Sequence, residues 1–152
     1  MRYIGIDPGL NGGIAVIDEK GMVIEVVKMP DTPQGILYLL KEHAVLDDCV
    51  AYLEAVGYGM PGQSSKATAT FARHCGHLDM ALLALEIPTN TVTPGKWEKS
   101  YQLGRSAEYS KTEWKNRLKA KAQQLFPGVK VTLAIADALL IAAYGRKQEV
   151  GK

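Results

Sequence analysis

The sequence predicts an α/β fold, a mixed five-stranded sheet with an antiparallel meander, two parallel strands and helices on both faces. Three observations predict it. Three short strand-like apolar runs separated by tight turns occupy the first 28 residues, the pattern of a meander. Two further apolar runs alternate with segments of helical spacing, the pattern of crossovers to parallel strands. The chain has 152 residues, 47% of them hydrophobic, enough for one core without disulfide or zinc staples.

The elements follow in order. Residues 2–7, Arg-Tyr-Ile-Gly-Ile-Asp, form a strand that ends on Asp7 and breaks at once into Pro8-Gly9. Asn11-Gly12-Gly13 starts the return along 13–18, and Glu19-Lys20-Gly21 turns the chain into 22–28. Thr32-Pro33 opens a helix in which Ile36, Leu37, Leu39 and Leu40 recur at helical spacing; a proline is tolerated in the first turn, where backbone N–H groups have no helical partner. Residues 49–54 are a second apolar strand ending in an acid, Glu54. The turn-rich loop 57–65 follows, long enough to serve as a functional segment. An Ala- and Leu-rich helix is expected from Lys66 to Glu86, closed by Pro88, with a buried strand at 90–93. The stretch from Lys96 to Ser110 reads as irregular. Ser110 with Glu113 is a capping-box pattern that opens a helix to about Phe126. The last helix, read over 135–146, carries Asp137 in its first turn, where the helix dipole favours a carboxylate, and alanines that allow close approach to a sheet. Residues 1–147 are expected to be a single domain and 148–152 a disordered tail.

No apolar run approaches the roughly 20 residues of a membrane span. The first residues already read as a strand rather than an export signal, so a cytoplasmic location is expected. Cys49 and Cys75 read as reduced packing residues. His74, Cys75 and His77 lie close in sequence but lack a fourth ligand at zinc-site spacing, and read as an ordinary helix. The formal net charge is +2, unevenly spread: Lys96, Lys99, Arg105, Lys111, Lys115, Arg117, Lys119 and Lys121 stand against only Glu98, Glu108 and Glu113 in their segment. Trp97, Tyr101, Tyr109 and Trp114 are interleaved there. Cations that neutralise phosphates and rings that pack on bases together point to nucleic acid.

Asp7 at a strand end beside glycines suits metal or phosphate binding, or a plain Asp-Pro-Gly turn. Topology narrows this. If strands 1 and 4 are parallel neighbours, Asp7 and Glu54 finish side by side and the last helix can bring Asp137 to meet them. Three converging carboxylates repel unless cations sit between them. Oxygen-only ligands favour magnesium or manganese.

Ile-Gly-Ile-Asp-Pro-Gly-Leu at 4–10, Leu53-Glu54 at a strand end, and Ala-Asp-Ala-Leu-Leu-Ile-Ala at 136–142 resemble the RuvC family of Holliday-junction resolvases. The resemblance extends to the long helix after Glu54 and to Gly104-Arg105-Ser106-Ala107-Glu108 before a basic helix. Compactness and the Lys-Thr-Glu-Trp-Lys wording at 111–115 are most similar to the phage-borne branch. What the resemblance implies is a ribonuclease H-like fold and a homodimer, formed through the helix from Lys66 to Glu86, that nicks opposed strands of a four-way DNA junction. The ends left would be a 5′-phosphate and a 3′-hydroxyl. Asp7, Glu54 and Asp137 would be catalytic ligands of two Mg2+ or Mn2+ ions. Lys99 and Lys111 would contact the scissile phosphate, Lys111 as a catalytic residue. Lys115, Arg117 and Lys119 would hold flanking duplex, and Tyr58 and Met60 would reach into the junction centre. The setting would be the cytoplasm of a bacterial or phage-infected cell, with any branch-migration helicase partner left open.

The chain departs from the family pattern at two places. A fourth metal-site acid or histidine is expected three residues before the last aspartate, and Ala134 stands there; Thr132 is a poor substitute and Asp18 lies at the far end of a strand. Weaker binding of one metal, with a preference for manganese, is the expectation. Tyr109 stands where a second lysine is expected. A catalytically weak or inactive junction-binding protein of the same fold is the alternative this leaves. An actin-like ATPase shares the Asp-x-Gly start but needs a second domain.

Overall fold

The computed structural model describes residues 1–151. Five strands, β1 (Arg2–Asp7), β2 (Gly13–Ile17), β3 (Val23–Lys28), β4 (Cys49–Glu54) and β5 (Thr89–Val92), form one sheet in the order β3-β2-β1-β4-β5. The first three pair antiparallel, whereas β1–β4 and β4–β5 pair parallel. The helices are α1 (Pro33–Ala44), α2 (Ser65–Ala84), α3 (Pro94–Lys99), α4 (Lys111–Leu125) and α5 (Leu133–Val150), with one 3-10 turn at Ser106–Glu108.

Strand side chains alternate between faces, and the sheet therefore has two cores. Ile4, Ile6, Ile14, Val16, Ala51 and Leu53 pack against α1 and α2. Tyr3, Ala15, Ile17, Val50 and Tyr52 face α5 and α4. Between the two layers of helices β1 and β4 are almost wholly buried, which is why they read as near-continuous apolar runs.

Local signals place the helix starts. Thr32 Oγ1 accepts from Gly35 N at 3.0 Å, with Pro33 at the first helical position. Ser64 caps α2 through Ala67 N at 3.1 Å. At α4 the full capping box forms: Ser110 Oγ accepts from Glu113 N at 3.2 Å, and Glu113 Oε2 accepts from Ser110 N at 3.0 Å.

The structure corrects several expectations. The fifth strand lies at the sheet edge, with only Val92 buried. The long helix ends at Ala84 rather than Glu86, because Glu86 adopts a left-handed φ of 53° that a helix cannot continue through. Part of the stretch read as irregular is α3 and the 3-10 turn. The expected disordered tail is helical through Val150, held by Tyr52 Oη donating to Glu149 Oε1 at 2.7 Å; Lys152 lies outside the described residues. Finally, α5 starts at Leu133, two residues earlier than expected, so Asp137 sits in its second turn.

α5 is buried nearly all round, from Ile135 through Ala142 and again at Tyr144 and Gly145. Its close seat on the sheet depends on glycines. A Cβ at Gly5 would lie 2.2 Å from the Ala138 carbonyl oxygen and 2.3 Å from the Ala142 nitrogen, both backbone atoms. Tyr101 Oη donates to the Leu140 carbonyl, tying the α3 end to the same helix.

Gly5→Ala is accordingly expected to cost at least about 1–3 kcal/mol through overpacking. Gly76→Ala, in the interior of α2 with open space at its Cβ, is expected to stabilise by up to about 1 kcal/mol. Urea unfolding of both variants checks the pair of signs.

Candidate active site

The parallel register pairs Ile6 with Leu53, so Asp7 and Glu54 follow as the last residues of adjacent strands. Alternation sends both toward the α5 face, since Gly5 and Tyr52 two residues earlier point there. Asp7 is held by its turn. Gly9 has a φ of 112°, Gly12 N donates to Gly9 O at 3.0 Å, and a Cβ on Gly12 would lie 2.0 Å from the Asp7 carbonyl oxygen. Asp137 enters from α5, directly before Ala138 at the Gly5 contact, and is only 4% exposed.

Two donors come from the connection between β5 and α5. The fully buried Trp97 of α3 gives its Nε1–H to Glu54 Oε2 at 2.7 Å. Lys115 of α4 gives Nζ–H to Asp137 Oδ2 at 2.6 Å, with its own side chain 43% exposed. The sequence reading placed Lys115 on flanking duplex; in the structure its ammonium lies against Asp137 instead of standing free on the helix surface. Trp114, Leu118 and Ala122 form the buried seam of α4, and Lys115, one residue past the first of them, is turned toward α5. The expected dipole support for Asp137 is likewise replaced by this ion pair, because orphan N–H groups are confined to the first turn.

The electrostatics are those of crowded acids. Burial, then the charges of Asp137 and Glu54, push the Asp7 carboxyl up to about 8, against a weaker opposing effect of Lys115. Burial likewise pushes Glu54 up to about 7, with Asp137 and Glu98 adding to it and the Trp97 hydrogen bond opposing. Burial raises Glu98 on α3 also, Trp114 opposes this, and Asp137 adds to it, which makes Glu98 a neighbour of the cluster that sequence reasoning missed. Burial lowers Lys115, but Asp137, and then Asp7 and Glu54, outweigh it and hold the ammonium above its ordinary range.

No group of three His, Cys, Asp or Glu among the described residues is gathered tightly enough to hold a metal ion as the side chains stand. Trp97 and Lys115 each occupy an oxygen of Glu54 and Asp137. The donor set nevertheless fits a hard divalent cation. It is oxygen-only, buried, and carries three carboxylates against one ammonium. Ala134, one turn before Asp137 on α5, offers only a methyl group, and Thr132 makes no side-chain cap bond.

A cavity of about 740 Å3 opens beside the cluster, lined by Asp7 and its turn, by Phe71 and His74 of α2, and by Lys115. His74 Nε2 is buried there without a hydrogen-bond partner, and burial lowers its basicity. Other predicted residues lie further out. Lys99 ends α3 and Lys111 begins α4, both exposed; Lys119 is half-buried. Arg117 is committed to the protein, donating to Leu103 O at 3.0 Å and lying 4.5 Å from the centre of the Tyr109 ring, which stacks on Trp114. Tyr58 is exposed but leans on Phe71 of α2, ring centres 6.1 Å apart, and Met60 is exposed.

Because Asp7 and Glu54 take up protons on folding, the metal-free chain loses stability as pH rises from about 5 to 8.5, through the folded values and above the ordinary carboxylate range. Asp7→Asn removes the largest part of that slope and raises the thermal midpoint in EDTA at pH 8. Melting curves of both proteins across this range check it; an unchanged slope would contradict the crowding.

No family model matches the chain, and no curated relative does. Solved structures do. The chain is similar to Thermus thermophilus RuvC, with a TM-score of 0.67 at 18% identity, covering 99% of this chain and 97% of that one. It is equally similar to T. thermophilus RuvC in complex with Holliday junction substrate, with a TM-score of 0.66 at 18% identity over 100% of this chain and 97% of that one. At this identity the likeness carries the architecture: the chain has the ribonuclease H-like fold of RuvC.

Proposed function

We propose that the protein is a metal-dependent endonuclease that resolves four-way DNA junctions by paired nicks. The convergence of Asp7, Glu54 and Asp137 from β1, β4 and α5, at the strand ends of a RuvC-like fold, carries this reading. That the same fold in T. thermophilus RuvC is found with Holliday junction substrate supports the substrate class.

Asp7, Glu54 and Asp137 would hold magnesium or manganese. The bound ion supplies positive charge at the phosphate and eases deprotonation of water. In the hydrolysis a water oxygen bonds to phosphorus as the P–O3′ bond breaks, the water proton leaves to solvent, and O3′ takes up a proton from solvent. This gives the 5′-phosphate and 3′-hydroxyl ends. Lys99 and Lys111, both exposed, would carry phosphate contacts at the ends of α3 and α4. The site of action would be the cytoplasm of a bacterial or phage-infected cell; no helix among the described residues is long and apolar enough to cross a membrane. A phage-type origin rests on the segment 111–115, since both structural neighbours are from T. thermophilus.

A non-cutting junction-binding protein is the second reading, favoured by the methyl group at Ala134. Purified protein with a labelled immobile junction separates the two. Cleavage in Mg2+ or Mn2+ that falls at least about a thousandfold in Asp7→Asn is expected. Binding without cutting in either metal would select the second reading.

The homodimer would form through α2. Met80 and Leu83 are 62% and 71% exposed on its outer side, away from buried Leu78 and Leu82, a placement that suits a partner. Met80→Asp with Leu83→Asp is expected to convert a dimer to a folded monomer, read by sedimentation and circular dichroism.

A further inference from the structure

Lys115 is the one cation in contact with the carboxylate cluster among the described residues, and its place there has a consequence for metal count. Its Nζ lies 2.6 Å from Oδ2 of Asp137, which follows Ala134 by three residues on α5. It also lines the cavity beside Asp7, and so faces the space from which a phosphate would approach. Glu54 has one oxygen taken by Trp97 at 2.7 Å, a donor buried in the core and unable to withdraw. The oxygens left free are few. Three ionised carboxylates with one ammonium leave a charge that a single divalent ion neutralises, whereas two such ions beside Lys115 would leave these four groups net positive, with Glu98 the nearest further acid. Alanine at 134 and lysine at 115 are thus complementary: one removes a ligand, the other supplies a fixed positive charge.

Resting on the nuclease reading, we propose that the Lys115 ammonium takes the part of a second metal ion, so that each protomer binds one divalent cation, and that Lys115 stabilises the negative charge that builds on the scissile phosphate. Asp137 positions this ammonium instead of serving as a full ligand of a second ion. The stem of Lys115 is half-buried against α5, which limits the positions its charge can reach.

Counting ions on the DNA-free protein tests this without relying on activity. Mn2+ titration followed by electron paramagnetic resonance and calorimetry is expected to give one strong site per protomer in the wild type. Lys115→Met, which keeps the stem and removes the charge, should bind a second Mn2+ at least about tenfold more tightly than the wild type does. Lys115→Arg should keep the count at one and guards against a merely misfolded Met variant. Junction cleavage by Lys115→Met should fall about a hundredfold or more in low Mn2+ and recover as the ion concentration is raised. Two strong sites in the wild type would overturn the proposal, and so would a count of one in both wild type and Lys115→Met. The nuclease reading fails separately, if wild-type protein never cuts the junction or if Asp7→Asn cuts as well as wild type.

Discussion

The backbone of α5 lies directly on Gly5 at the middle of β1, where any side chain would strike the Ala138 carbonyl and the Ala142 nitrogen. Interiors pack too densely to absorb a methyl group there without shifting an element. This contact sets the height of α5 above the sheet. Since Asp137 directly precedes Ala138, it also sets how near Asp137 comes to the ends of β1 and β4. Gly145 repeats the device lower on the helix, where a Cβ would meet the Tyr52 ring at 2.3 Å. The same close seat explains why α5 is rich in alanine and buried nearly all round.

Such a seat has an electrostatic cost. Asp7, Glu54 and Asp137 are brought together out of water, and burial first, then the charges of Asp137 and Glu54, push the Asp7 carboxyl up to about 8. The chain relieves it only in part, through Trp97 and Lys115. Both arise from the segment between β5 and α5, whose capping box and 3-10 turn fix where α4 begins. A folded state that tolerates unneutralised acids is one in which a local rule is broken where charge is to be handled.

Much of the fold was legible because its signals are local. The meander is written in short turns, the parallel pair in two apolar runs long enough to be buried on both faces, and α1 and α4 in their caps at Thr32 and Ser110. The misreadings fell where a local signal was shared by two outcomes. Thr89–Val92 has strand composition whether central or at an edge, and only its partners decide. Glu86 carries no residue-type signal for a left-handed φ. Polar residues at 148–150 read as a frayed tail, yet a tyrosine from β4, far away in sequence, anchors the helix there.

For the site, the sequence by itself determined the three acids: strand alternation and parallel pairing direct Asp7 and Glu54 to one face, and the alanine-rich run around Asp137 allows α5 to approach it. It also puts alanine at 134, one turn before Asp137, where no side chain can add to the cluster. What only the tertiary structure decided is the company those acids keep. Lys115 reads as one more cation on a basic helix, and Trp97 as one more aromatic. Their roles depend on how α3 and α4 pack on α5, through buried Trp97, Trp114, Leu118 and Ala122 meeting α5 residues that lie well beyond them in sequence. The physical reason is that carboxylate spacing follows from backbone periodicity, whereas the partner of a buried charge is chosen by long-range packing.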